Sequence, residues 1–172
     1  MKKLLSVIAV TLIAAGSLHA QDKTVSSKPV SFSIGLDAGV PIGIAGDVYS
    51  FIIGGSLQGE YMAASDLGIT LSAGYKSWSV KKDLQTTVGS NNFSFIPVLA
   101  GIKYYFTPVV YGSGQLGVTF STESGGGSSF TYAPGVGFKV SKNVDVLAKY
   151  TGLSPKGGGS LNEVGVRLAY NF

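Results

Sequence analysis

The final stretch, Leu161 to Phe172, alternates so regularly that few folds can accept it. From Val164 its even positions read Val164, Val166, Leu168, Tyr170 and Phe172, and its odd positions read Glu163, Gly165, Arg167, Ala169 and Asn171. In a strand these two sets point to opposite faces. One face is apolar and ends in two aromatics; the other is small, polar or charged. A strand with lipid on one side, a polar lumen on the other and an aromatic at the interface is the closing strand of a membrane-spanning β-barrel.

The preceding chain repeats the pattern. Alternation predicts strands over Val30 to Val40, Phe51 to Met62, Leu67 to Val80, Phe93 to Phe106, Val109 to Ser121, Phe130 to Val140 and Val144 to Thr151, with Leu161 to Phe172 as the eighth. In the first, Val30, Phe32, Ile34, Leu36 and Ala38 share one face, and Ser31, Ser33, Gly35, Asp37 and Gly39 the other. The fourth is the least regular, since Phe95 and Leu99 share a face with Lys103. Long connections (Pro41 to Ser50, Lys81 to Asn92, Thr122 to Ser129, Gly152 to Ser160) alternate with short ones (Ala63 to Asp66, Thr107-Pro108, Ser141 to Asn143). Eight strands with this rhythm predict an all-β fold, an antiparallel up-and-down transmembrane barrel with short periplasmic turns and longer external loops. No helical periodicity is expected after Ala20. A soluble sandwich or lipocalin-like barrel would instead need the apolar faces turned inward. Pro97 and Pro134 interrupt two strands, and the reading places them near the outer rim, at bulges or above the lipid.

Composition agrees with lipid as the solvent. Charged residues make up only 13% of the 172 residues, against about 25% in ordinary soluble domains. Met1 to Ala20 reads as a signal peptide, with Lys2 and Lys3 ahead of the apolar run Leu4 to Ala15 and a small residue at Ala20. That run is short for a spanning helix, which needs about 20 apolar residues. Gln21 to Pro29 reads as a polar linker, which leaves residues 30–172 for the barrel. Without Lys2 and Lys3, 11 basic residues face 9 acidic ones, which is no nucleic-acid footprint.

Catalytic chemistry finds little support. The single His is His19, inside the signal peptide, and there is no Cys. Ser-His and Cys-His nucleophiles and His metal sites are therefore absent from the mature chain. The carboxylates lie on different elements, so neither an enzyme nor a cofactor or metal site is expected. Gly112-Ser-Gly114-Gln-Leu-Gly117 matches a dinucleotide fingerprint by letters, but it lies inside an alternating strand with no helix after it.

The lumen face carries the most informative residues: Asp37, Glu60, Asp145 and Glu163 against Lys76, Lys103, Lys139, Lys149 and Arg167. An eight-stranded barrel is just wide enough for side chains to fill, so these charges must pair or stay hydrated. Lys139 should oppose Asp145 across the Ser141 to Asn143 turn. Asp37 should lie near Arg167, where the first strand meets the last. Such a set reads either as a salt-bridged plug, the preferred reading, or as a narrow path for ions or small solutes. Outward aromatics form two expected girdles: Tyr61, Tyr104, Phe106, Tyr170 and Phe172 at the periplasmic end, and Tyr75, Phe120, Phe130, Tyr132 and Tyr150 at the external end. Trp78 is placed on the rim beside the longest loop, where it could stack on a sugar or other ligand.

The segments Phe95-Ile-Pro-Val-Leu-Ala-Gly-Ile-Lys-Tyr-Tyr-Phe106 and Asn143-Val-Asp-Val-Leu-Ala-Lys-Tyr150, with the signal peptide and the terminal aromatic strand, resemble small OmpA/OmpX-like outer-membrane β-barrel domain proteins. The resemblance runs from Val30 to Phe172 and implies residence in the outer membrane of a Gram-negative-type bacterium. It also implies that Val164, Leu168, Tyr170 and Phe172 form the signal read by the barrel-assembly machinery. Outer-membrane lipid is then the constant partner. The expected role is structural or surface interaction through the external loops, with an unidentified extracellular partner, as a monomer.

Overall fold

The structure is a computed structural model that describes residues 30–172, apart from Ser124, Lys156 and the side chain of Val88. The expected signal peptide and linker lie outside the described residues. Eight strands appear in chain order: β1 (Val30–Ile42), β2 (Tyr49–Met62), β3 (Leu67–Val80), β4 (Asn92–Tyr105), β5 (Val110–Ser121), β6 (Ser128–Lys139), β7 (Val144–Pro155) and β8 (Leu161–Asn171). Each pairs antiparallel with its sequence neighbours, and β1 pairs with β8 to close the barrel. Closure leaves no free sheet edge, which a bilayer would not tolerate.

The faces are inverted relative to a soluble protein. Leu36 is 69% exposed while Asp37 beside it is 4% exposed. Every strand repeats this, because adjacent residues in a strand face opposite sides. The apolar set therefore covers the outer wall and the polar set fills the interior. Tyr61, Tyr104, Phe106, Tyr170 and Phe172 lie outward toward the short-turn end, and Tyr75, Phe120 and Phe130 outward toward the other.

Several boundaries differ from the sequence reading. β1 runs on to Ile42, β2 starts at Tyr49 and β7 runs on to Pro155, so the long connections are shorter than expected. The β2–β3 register shifts between Tyr49 and Phe51, leaving Ser50 as an extra residue. A bulge of this kind reverses which face the flanking residues present. It turns Tyr49 inward, opposite Val80, while Phe51 stays outward. Two short helices also occupy long connections, against the expectation of none: α1 (Ile44–Val48) and α2 (Lys82–Val88). They are too short to show a periodicity. Gly89 ends α2 at φ 71°, with its N–H donating to the Gln85 carbonyl at 2.9 Å, the usual role of a left-handed glycine at a helix C-terminus.

The prolines do not sit at the rim. Pro134 lies at the middle of β6, opposite Gly114 at the middle of β5, and Pro97 lies within β4 opposite Thr119. Neither causes a register shift. The ladder instead skips the residue pairs beside each proline, from Ala73–Val98 to Lys76–Phe95 and from Tyr132–Gly152 to Gly135–Lys149. Local loss of pairing accommodates each ring without a bulge.

Candidate functional site

The lumen is the candidate site, because it gathers the charged side chains that a bilayer excludes. It is filled in three layers. Nearest the long connections is an apolar cluster of Ala45, Ile52, Trp78, Phe95 and Leu153, with Tyr49, Phe93 and Leu161 packed against it. Trp78 is 1% exposed, and its indole meets Tyr49 at 5.3 Å and Phe95 at 5.6 Å between ring centroids, edge-on. This corrects the rim placement: Trp78 continues the inward set of Lys76 and has no face free to stack a ligand. Phe95 and Leu99, which blurred the pattern of the fourth strand, also point inward and are buried.

The middle layer holds two ion pairs that reach across the barrel. Lys76 on β3 pairs with Glu163 on β8, and Lys149 on β7 donates to Asp37 Oδ1 on β1 at 2.6 Å. Ser56 Oγ donates to Asp37 Oδ2 at 2.6 Å, and Arg167 Nε donates to Ser56 Oγ at 2.8 Å. Arg167 Nη2 also donates to Ser33 Oγ at 3.1 Å. Asp37 and Arg167 are register partners, as the barrel closure requires, yet the carboxylate takes Lys149 and Ser56 instead. Gly35 makes room for this: a Cβ there would lie 2.5 Å from Arg167 Nε.

The layer nearest the short turns is built around Lys103, which is 2% exposed. Its ammonium lies 2.9 Å from Glu60 Oε2, 3.9 Å from Asp145 Oδ2 and 4.7 Å from the centre of the Tyr111 ring. Tyr105 donates to Glu60 Oε1 at 2.6 Å, Tyr111 to Asp145 Oδ1 at 3.1 Å and Asn171 Nδ2 to Asp145 Oδ2 at 3.2 Å. Lys139 and Asp145 are register partners, but the Lys139 ammonium lies over the Tyr105 ring, 4.5 Å from its centre. Charged hydrogen bonds of this kind are what keep buried ions tolerable.

All nine charged residues named from the sequence thus lie in the interior, in two clusters rather than one. The sequence reading named none of the uncharged partners Ser33, Ser56, Tyr105, Tyr111 and Asn171 as members. Their signal was parity alone, since Tyr105 follows Lys103 by two, and Ser56 and Ser33 share the faces of Glu60 and Asp37. Val164, Leu168, Tyr170 and Phe172 all lie on the outer wall. Gly112 to Gly117 lies within β5, so the fingerprint letters form no turn. Among the described residues, no group of three or more His, Cys, Asp or Glu is placed to hold a metal.

The comparisons agree with this geometry. The family model for the outer membrane protein beta-barrel domain matches residues 8–172. Among solved structures, the chain resembles Ail, the attachment invasion locus protein of Yersinia pestis, at 20% identity and TM-score 0.58, covering 85% of this chain and 99% of that one. It also resembles the de novo designed barrel TMB2.3, at 19% identity and TM-score 0.56, covering 85% and 97%. The N-terminal barrel domain of Pseudomonas aeruginosa OprF matches at 16% identity and TM-score 0.50, covering 83% and 97%. No curated protein matches the chain. The chain belongs to the outer-membrane β-barrel domain family, and its place is the outer membrane, with the apolar wall in lipid.

Proposed function

We propose that this outer-membrane barrel is non-conducting and non-enzymatic, that its lumen is plugged by its own side chains, and that its external loops carry a structural or surface-interaction role. The observation that carries the reading is the filled interior: an apolar cap above two layers of paired charges, with a cavity of only about 30 Å³ between them. A narrow ion path would need charges facing water along its length. Here Lys103, Glu60, Asp145 and Glu163 are each at most 6% exposed. The same pairing argues against catalysis, because Glu60, Asp145 and Asp37 are tied to lysines and hydroxyls rather than open to substrate.

Ail has been crystallised with the heparin analogue sucrose octasulfate. In sequence, the long connections here carry Lys81, Lys82 and Lys156 against Asp47, Asp83 and Glu123, so they have no net positive charge to draw a polyanion. The partner class that fits these Gly- and Ser-rich loops is therefore not a polyanion. A monomer fits a barrel whose every strand edge is paired. β8, with Val164, Leu168, Tyr170 and Phe172 outward, is the segment presented to the barrel-assembly machinery.

The test is ion conductance of the refolded protein in planar bilayers, with folding checked by a heat-dependent gel shift. A folded, silent protein supports the plug. A reproducible conductance whose selectivity changes in Lys103→Gln or Arg167→Gln overturns it in favour of a narrow pore. Replacing the external loops should abolish any surface binding while leaving the gel shift intact.

A further inference from the structure

Among the described residues, three buried side-chain oxygens inside the barrel lack a hydrogen-bond partner, Thr70 Oγ1, Thr151 Oγ1 and Glu163 Oε2, and the last two belong to directly opposed residues. Thr151 and Glu163 lie on β7 and β8, both point inward, and they are 5% and 2% exposed. The other carboxylate oxygen of Glu163, Oε1, takes Lys76. A buried acceptor left unsatisfied is costly, so native interiors supply a partner from the protein or from ordered water.

Both residues line the same cavity, between the apolar cap and the lower charged layer. Its volume is about 30 Å³, and a water needs about 10–15 Å³ on this measure. There is room for at least one water. Trp78, Phe95 and Leu153 border the cavity on the side of the cap, and Asp37, Lys149 and Arg167 are among the polar residues that line the rest of it. We propose that this cavity is a built site for ordered water, which bridges Thr151 Oγ1 and Glu163 Oε2 and completes the coordination of the Lys76–Glu163 pair.

The chemistry selects water over an ion. A metal cation would face the three positive groups Lys76, Lys149 and Arg167 at close range, and an anion would meet the free oxygen of Glu163. Water donates to that oxygen, which can only accept, and either donates to or accepts from the threonine hydroxyl. The apolar cap above and the Lys103 layer below then hold the water inside, so the site exchanges slowly with bulk solvent. This slow exchange rests on the closed lumen proposed above.

The experiment is water-to-amide magnetisation transfer by NMR on the refolded protein in detergent micelles, with bilayer conductance measured on the same preparation. Direct transfer from a long-lived water is expected at the amides flanking Thr151 and Glu163. Thr151→Val, which keeps the shape and removes the hydroxyl, should abolish that transfer while the gel shift persists. Transfer unchanged in Thr151→Val overturns the bridge. A silent bilayer with no long-lived water at these positions overturns the site and leaves the plug standing. Conductance with only short-lived water overturns the closed lumen, and the slow site with it.

Discussion

Removing the Lys103 ammonium tests the buried charge network most directly. It lies 2.9 Å from Glu60 Oε2 and 3.9 Å from Asp145 Oδ2, and all three side chains are nearly inaccessible. At an effective dielectric of about 20, attractions at those separations are worth about 6 and 4 kcal/mol. Lys103→Met keeps the volume and loses both. It also removes the desolvation cost of the ammonium, several kcal/mol. Each carboxylate keeps a donor: Tyr105 on Glu60, and Tyr111 and Asn171 on Asp145. The expected net loss is about 3–5 kcal/mol. With a urea slope of about 2 kcal/mol per molar, the unfolding midpoint should fall by about 2 M. The assay is reversible urea unfolding in lipid vesicles, followed by the fluorescence of Trp78, the single tryptophan. Adding Glu60→Gln to Lys103→Met should recover part of the loss, because it removes one uncompensated charge. A single-mutant loss below about 1 kcal/mol, the range of exposed ion pairs, would refute the reasoning, since it would mean the lower layer is hydrated.

Other substitutions test the cap, the packing and the assembly strand. Trp78→Ala should destabilise the barrel by about 3–5 kcal/mol, as expected for a fully buried aromatic, read by circular dichroism during urea unfolding. Gly137→Val should cost about 1–3 kcal/mol, because a side chain at Gly137 would enter the Tyr111 ring, which is itself fully buried; the readout is the same midpoint. Phe172 is 76% exposed and its N–H bonds to the Phe32 carbonyl at 2.9 Å. Phe172→Ala keeps that backbone bond, so it should change stability in vesicles by about 1 kcal/mol or less. In cells it should lower the amount of barrel reaching the outer membrane. An equal loss in both assays would mean that Phe172 acts through stability alone.

The outer wall was legible in the sequence because a strand has a period of two, and one face of each strand meets lipid. The same period carried the register across the Ser141 to Asn143 turn, so that Asp145 opposes Lys139, and closure of the first strand on the last set Arg167 opposite Asp37. The period could not carry side-chain partners. Inside the lumen a lysine reaches past neighbouring strands: Lys149 from β7 past β8 to β1, and Lys76 from β3 past β2 and β1 to β8. Register names only adjacent strands, so pairs that skip a strand are invisible to it. Trp78 was visible by parity, two residues after Lys76, but a tryptophan on the polar face looks like the end of the pattern rather than the start of a cap. Tyr49 was hidden for another reason. The bulge at Ser50 reverses its face, and nothing in the local sequence marks the extra residue.

The paired lysines and carboxylates need not add much net stability, since buried ion pairs often do no better than apolar replacements of the same shape. Their larger effect falls on the alternatives. A slip of one residue in any strand would exchange its two faces. For β4 that slip moves Lys103 into lipid, for β7 Asp145 and Lys149, and for β8 Glu163 and Arg167. A lysine or arginine on the lipid face costs about 2–4 kcal/mol at mid-membrane, and its partner would be left buried and unpaired. Every strand except β5 carries at least one of these nine charges, so nearly every slipped pairing meets such a cost. β5, which lacks one, would in such a slip turn the buried Tyr111, Gln115 and Thr119 toward lipid. The same residues that pair inside the lumen thus select one register from many in a sheet whose largely apolar outer wall would accept several.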